Sequence, residues 1–164
     1  MKKWLPGLLA VVILLSSCAS NNAVTATDAV FSDDTAANGS PVTVPNVDLT
    51  DKKAEIDMTG MTKQMAYVQL SNMMLRPEDY IGKTVKLRGV FAHAAENDRE
   101  FFVCYIMDET ACCSQSLEFK TDNSYPYPEA YPPERTEITV YGVFDTYQYN
   151  GYEMYRLLHA ELSY

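Results

Sequence analysis

Basic residues are scarce in this chain of 164: 13 Lys and Arg stand against 22 Asp and Glu, a formal charge of −9. Phosphate backbones are bound by clustered Lys and Arg, so this balance argues against a nucleic-acid partner. Histidine is scarcer still, represented by His93 and His159 alone. A nucleophile–histidine pair can therefore exist only as a cysteine with one of these two. Glycine-rich phosphate loops, G-x-S-x-G and H-E-x-x-H are missing altogether. With no recognisable catalytic constellation, the chain reads as a binding or adaptor module and not as an enzyme. The apolar run Leu8–Leu15 is too short to cross a bilayer with comfort.

What is present begins with that run. Lys2 and Lys3 precede it, and it ends in Leu15-Ser16-Ser17-Cys18. Together these resemble the leader and lipobox of a bacterial lipoprotein. The resemblance implies removal of signal peptide 1–17 and attachment of diacylglycerol to Cys18, usually with palmitate or a similar acyl group on the new amino terminus. Each buried CH₂ contributes about 0.8 kcal/mol, so two or three acyl chains anchor the protein without a transmembrane helix. The expected location is extracytoplasmic, in the cell envelope and on a membrane. Loss of Lys2 and Lys3 leaves 11 basic residues against 22 acidic ones, a charge of −11. Anionic headgroups repel such a protein, so the lipid alone would hold it there.

From Ala19 to about Glu55 the chain is rich in Ala, Thr, Asn, Asp and Ser, with Pro41 and Pro45 and little apolar periodicity. Segment 18–55 reads as a flexible tether, and 56–164 as one domain. A helix is expected over about 62–75. Ala66, Leu70, Met73 and Met74 recur at helical spacing, as do Met61, Met65 and Val68; Thr62 is a suitable N-cap and Pro77 a stop.

Strands follow. Val85-x-Leu87-x-Gly89-Val90-Phe91 returns 53 residues later as Ile138-x-Val140-x-Gly142-Val143-Phe144. Strands that join both sheets of a small closed barrel must bend, and an interior glycine permits the bend. The paired device resembles the first and fourth strands of an OB-fold. Phe101–Met107, Cys112–Phe119 and Tyr152 to about Leu162 supply the remaining strands. Asn150-Gly151 signals a type I′ hairpin that sets Asp145 opposite Arg156. Tyr125-Pro126-Tyr127-Pro128 and Tyr131-Pro132-Pro133 forbid a helix between the third and fourth strands and predict an extended strap. The fold expected is all-β, a five-stranded OB-like Greek-key barrel preceded by one α-helix. Nine of the twelve tyrosines fall from Tyr125 onward, a composition that suits strand faces and barrel rims.

Chemistry concentrates in Phe101–Phe119, which holds every cysteine except Cys18. A turn at Asn97-Asp98 pairs His93 with Phe102 and Phe91 with Cys104. A four-residue turn over Asp108–Ala111 then pairs Ile106 with Cys113, making Cys104 and Cys113 diagonal neighbours on the inner face, with Cys112 outside. Three roles remain open. The thiols pack as apolar groups, as free cysteine commonly does, in a protein-interaction module whose cysteines are purely structural. Alternatively a Cys104–Cys113 disulfide staples the two strands, which an oxidising compartment allows. In the third role thiolates of Cys104, Cys112 and Cys113 bind a soft metal ion, zinc or copper, with His93 or His159 as a further ligand. A thiol–disulfide redox role would use the same cysteines. A strained Cys112–Cys113 bond would suit a switch better than a staple.

The pattern Asp108-x-x-Ala111-Cys112-Cys113-x-Gln115-x-Leu117-Glu118-Phe119 stands between Pro77-Glu78-x-Tyr80-x-Gly82-Lys83 and Tyr131-Pro132. Over about Ile56–Leu162 it resembles a group of uncharacterised bacterial lipoproteins with OB-like domains. More distantly, the double-cysteine strand is similar to the soluble domain of an exported subunit that works with a two-part permease. That likeness implies an envelope or permease partner and a link to metal homeostasis; it implies no catalytic activity.

Overall fold

The computed structural model describes residues 42–164. The expected leader 1–17, the expected lipidation site Cys18 and residues 19–41 lie outside the described residues. The elements run in the order β1 (Ile56–Asp57), α1 (Lys63–Leu75), a 3-10 turn at Pro77–Asp79, β2 (Thr84–Glu96), β3 (Arg99–Met107), β4 (Ser114–Phe119), β5 (Glu137–Tyr149) and β6 (Tyr152–Ser163). No helix among the described residues is long and apolar enough to cross a membrane.

The two glycine-bearing repeats form β2 and β5, the strands that close the sheet on itself. The strand order is β1-β2-β3-β4-β6-β5, and β5 returns to pair with β2. Five strands, β2 to β6, thus make a closed OB-like barrel. β2 changes partner halfway along: Thr84–Val90 pair with β5, and Val90–Glu96 pair with β3. Gly89 sits at the change. A Cβ there would lie 2.5 Å from the Tyr105 carbonyl oxygen and 2.7 Å from Cys104 Sγ, so β3 can approach only a bare backbone. Gly142 does the same for β6, where a Cβ would stand 2.8 Å from Leu157 Cβ at a break in the β5–β6 register. The side chains flanking both glycines, Val85, Leu87, Phe91, Val140 and Phe144, are fully buried.

Both tight hairpins form as expected. Asn97 (φ 49°) and Asp98 (φ 61°) turn β2 into β3 and set His93 opposite Phe102. Asn150 (φ 50°) and Gly151 (φ 82°) turn β5 into β6, the left-handed pair of a type I′ turn. Arg156 faces Asp145, with Nη2 2.6 Å from Oδ2. By contrast β4 and β6, which run parallel, meet only at Glu118–Arg156 and Phe119–Leu157.

Helix α1 begins at Thr62, whose hydroxyl accepts the Met65 N–H at 3.2 Å, and ends before Pro77. It lays Ala66, Leu70 and Met73 against β3 and β4. Full burial of a Leu or Met contributes about 1.5–3 kcal/mol each. In the other predicted stripe Met65 and Val68 face outward, 58% and 46% exposed, while Met61 packs against the core. The proline-rich strap is non-helical as expected. It covers one end of the barrel with Tyr131, stacked on Phe102 at 4.1 Å between ring centres and on Phe91 at 5.9 Å.

The boundary expected at residue 55 is corrected. The domain starts by Val44, so the part of segment 18–55 that lies within the described residues is not a tether. Val44 and Leu49 are buried, the Val44 N–H donates to the Ala130 carbonyl, and the Val47 N–H to the Leu162 carbonyl. Two isolated apolar residues carry no periodicity, so their burial left no trace in the local pattern. The segment also explains Lys86, which points outward from β2 yet is only 5% exposed. Its ammonium donates to the carbonyls of Thr50 and Lys52 at 3.3 and 3.2 Å and lies 3.7 Å from Asp57. A buried charge requires such partners.

Candidate metal centre

β3 ends at Met107 and β4 begins at Ser114; between them Asp108–Cys113 form the turn. The Asp108 N–H donates to the Cys113 carbonyl at 3.0 Å, and Ala111 takes a left-handed conformation with φ 55°. The Asp108 carboxylate organises this loop. Its Oδ1 accepts the backbone N–H of Cys112 at 3.1 Å and of Cys113 at 3.4 Å. Its Oδ2 accepts the Thr110 hydroxyl at 2.9 Å and lies 3.3 Å from Cys112 Sγ. Thr110 Oγ1 is itself 3.0 Å from that sulfur.

Both cysteines of the turn are exposed, and their Sγ atoms stand 3.6 Å apart. A carboxylate oxygen of Asp108 and the two sulfurs all lie within 4.8 Å of one another, a group able to hold a metal ion. Partial desolvation raises the Asp108 carboxyl, but the hydrogen bonds from Thr110, the Cys112 thiol and two backbone N–H groups outweigh it and hold it below the usual range. The Cys113 thiol is pushed up, first by its hydrogen bond and charge interaction with Cys112 and further by desolvation and the Asp108 charge. Two thiolates beside a carboxylate repel, and a bound cation would relieve that repulsion.

The pairing expected for Cys104 and Cys113 is corrected. Cys104 lies opposite Leu117, and Ile106 opposite Gln115. The register is two residues from the one predicted, and the turn holds six residues instead of four. A shift of two keeps every side chain on its own face, so alternation cannot tell the registers apart. In the observed register Leu117 and Phe119 are buried at 1% and 2% exposure, and Cys113 is left exposed in the turn. The expected one would have put Cys113 inside. No Cys104–Cys113 disulfide forms; the three cysteines are free thiols. Cys104 is fully buried, and burial pushes its thiol far above the usual range. It packs as an apolar group.

Neither histidine joins the cysteine turn. His93 faces Phe102, five residues before Met107, or about 17 Å along the strand. Its ring stacks on Tyr127 at 3.8 Å, and the buried Nε2 has no hydrogen-bond partner. His159 is exposed, with Nδ1 2.5 Å from Asp122 Oδ1. Its neighbour Ala160 bonds to Lys120, beyond the end of β4 opposite the turn. Of the five ligands proposed from sequence, Cys112 and Cys113 come together, while Cys104, His93 and His159 are elsewhere.

Asp108 was visible only as part of a motif. The available signal was an aspartate at a strand end followed by a turn whose N–H groups need an acceptor. A second unanticipated feature lies on the outer face. Glu118 points outward but is only 6% exposed. It accepts the Tyr147 hydroxyl and lies 3.3 Å from Arg99 Nη2, whose guanidinium covers the rings of Phe101, Tyr147 and Tyr149. Desolvation, then the bond to Glu118 and its charge, pushes the Tyr147 phenol up to about 12.

Comparison with family models, with curated proteins and with solved structures finds no match.

Proposed function

We propose that this protein is a lipid-anchored binding module of the bacterial envelope, not an enzyme, that captures a soft metal ion at the Asp108–Cys113 turn. The supporting observation is the 3.6 Å separation of the Cys112 and Cys113 sulfurs beside the Asp108 carboxylate. With Zn–S bonds of about 2.3 Å, that separation corresponds to an S–Zn–S angle of about 103°, near the tetrahedral value. Linear two-sulfur coordination at a similar bond length would need the sulfurs about 4.6 Å apart. The spacing therefore favours zinc over two-coordinate copper(I). Three protein donors leave a fourth position for water or for a donor from another molecule, as in zinc sites that exchange a ligand. An exposed, incompletely ligated site suits capture and delivery better than a structural staple.

The sequence around Cys18 supports the anchor, and the excess of acidic residues supports attraction of cations over anionic partners. A permease or another envelope protein is the proposed recipient of the ion. Mature protein purified without chelator, analysed for metal and titrated against a chromophoric zinc chelator, tests the reading. One zinc per chain, with binding lost in Cys112→Ser and Cys113→Ser but kept in Cys104→Ala, is the expected result. Failure of the reduced protein to compete with the chelator refutes the reading.

A further inference from the structure

We propose that Cys112 and Cys113 also close on each other as a reversible disulfide, so that oxidation ejects the metal ion and reduction restores its site. This inference rests on the metal reading above and names how that site is regulated. Metal binding and thiol oxidation then become two states of one pair of sulfur atoms.

Three observations converge. The sulfurs already stand 3.6 Å apart and are exposed, so an oxidant reaches them and they reach each other. They sit in the turn between β3 and β4 and outside both strands, where the backbone can change shape without breaking a ladder. Cys104, the remaining thiol among the described residues, is fully buried against Gly89. An oxidised sulfur at Cys112 therefore has Cys113 as its resolving partner, and the reverse holds.

The chemistry points to a switch. Consecutive Cα atoms are about 3.8 Å apart, short of the roughly 4.4–6.8 Å that an unstrained disulfide spans. A bond closed across that distance is strained and readily reduced. Asp108 holds the reduced turn through the backbone N–H groups of Cys112 and Cys113, bonds that need no thiol.

The oxidant is a disulfide, R–S–S–R, of small-molecule or protein origin in the envelope. One metal-bound cysteine thiolate attacks a sulfur of R–S–S–R, forming a mixed disulfide and expelling RS⁻. The neighbouring thiolate then attacks the cysteine sulfur of that mixed disulfide, forming the Cys112–Cys113 bond and expelling the second RS⁻. Two electrons pass from the cysteine sulfurs to the oxidant. The zinc ion, having lost both sulfur donors, leaves as Zn²⁺.

The test loads the mature protein with zinc, adds oxidised glutathione, and follows zinc release by chelator absorbance alongside intact mass and peptide mapping. The expected result is zinc release in step with the loss of two hydrogens in mass, a Cys112–Cys113 linked peptide, and full zinc rebinding after reduction. Cys113→Ser should instead retain a glutathione adduct on Cys112. Zinc that stays bound through the challenge, with both thiols intact, overturns the switch and leaves the metal reading standing. Stable glutathione adducts or linked dimers in place of the internal bond also overturn it. A reduced protein that never binds zinc overturns the metal reading and the switch with it.

Discussion

Asp108 and Cys112 are joined twice, the Cys112 N–H donating to Oδ1 at 3.1 Å while its sulfur lies 3.3 Å from Oδ2. One carboxylate both shapes the turn and stands among the sulfur donors. Asp108→Asn keeps an oxygen for the backbone but gives up the charge, and Asp108→Ala gives up both. Zinc affinity should fall about 10–100-fold in the asparagine variant and further in the alanine variant. Competition with a chromophoric chelator measures this; wild-type affinity in both variants would remove Asp108 from the ligand set.

Gly89 is the point where β2 exchanges β5 for β3. Because an added methyl would meet the Tyr105 carbonyl at 2.5 Å, and a backbone atom cannot step aside cheaply, Gly89→Ala should cost about 2 kcal/mol. Urea unfolding reads the loss. Asp108, Cys112 and Cys113 lie in the turn beyond β3 and not at this crossing, so zinc stoichiometry should not change.

Leu49 tests where the domain begins. If 44–55 is part of the folded unit, Leu49→Ala opens a cavity and costs about 2–5 kcal/mol. A residue in a tether would cost nothing, and thermal melting of the two proteins side by side decides between them.

Tyr147 predicts a pH dependence. Its phenol ionises near 10 in the unfolded chain and near 12 in the fold, so the native state favours the neutral form. The stabilisation is complete below about pH 10 and is lost as pH rises towards about 12. Tyr147→Phe should flatten that decline. Equal slopes for the two proteins in denaturant titrations across this range would place the effect elsewhere.

The barrel was legible wherever one residue type answers one steric demand. The paired glycines marked the bent strands, Asn150-Gly151 marked a hairpin, and the tyrosine–proline strap ruled out a helix. Each signal is local. The register of β4 was not legible, because its two candidates bury the same face and alternation cannot separate them. Asp108 was missed for a related reason. Its role is to accept N–H groups from a turn whose length depended on that same register. Segment 44–55 was missed because Val44 and Leu49 find their pockets singly, on surfaces assembled from distant strands.

The brevity of the β4–β6 ladder has a mechanical meaning. Ser114 to Leu117 pair in the sheet with β3 alone, so this wall also relies on side-chain contacts with α1, among them Gln115 Nε2 to Ser71 Oγ at 3.3 Å. The sulfur-bearing loop hangs from that wall. Rearrangement there would pass through β3 towards the Gly89 crossing, which abuts Cys104 and Tyr105, the partners of Leu117 and Ser116.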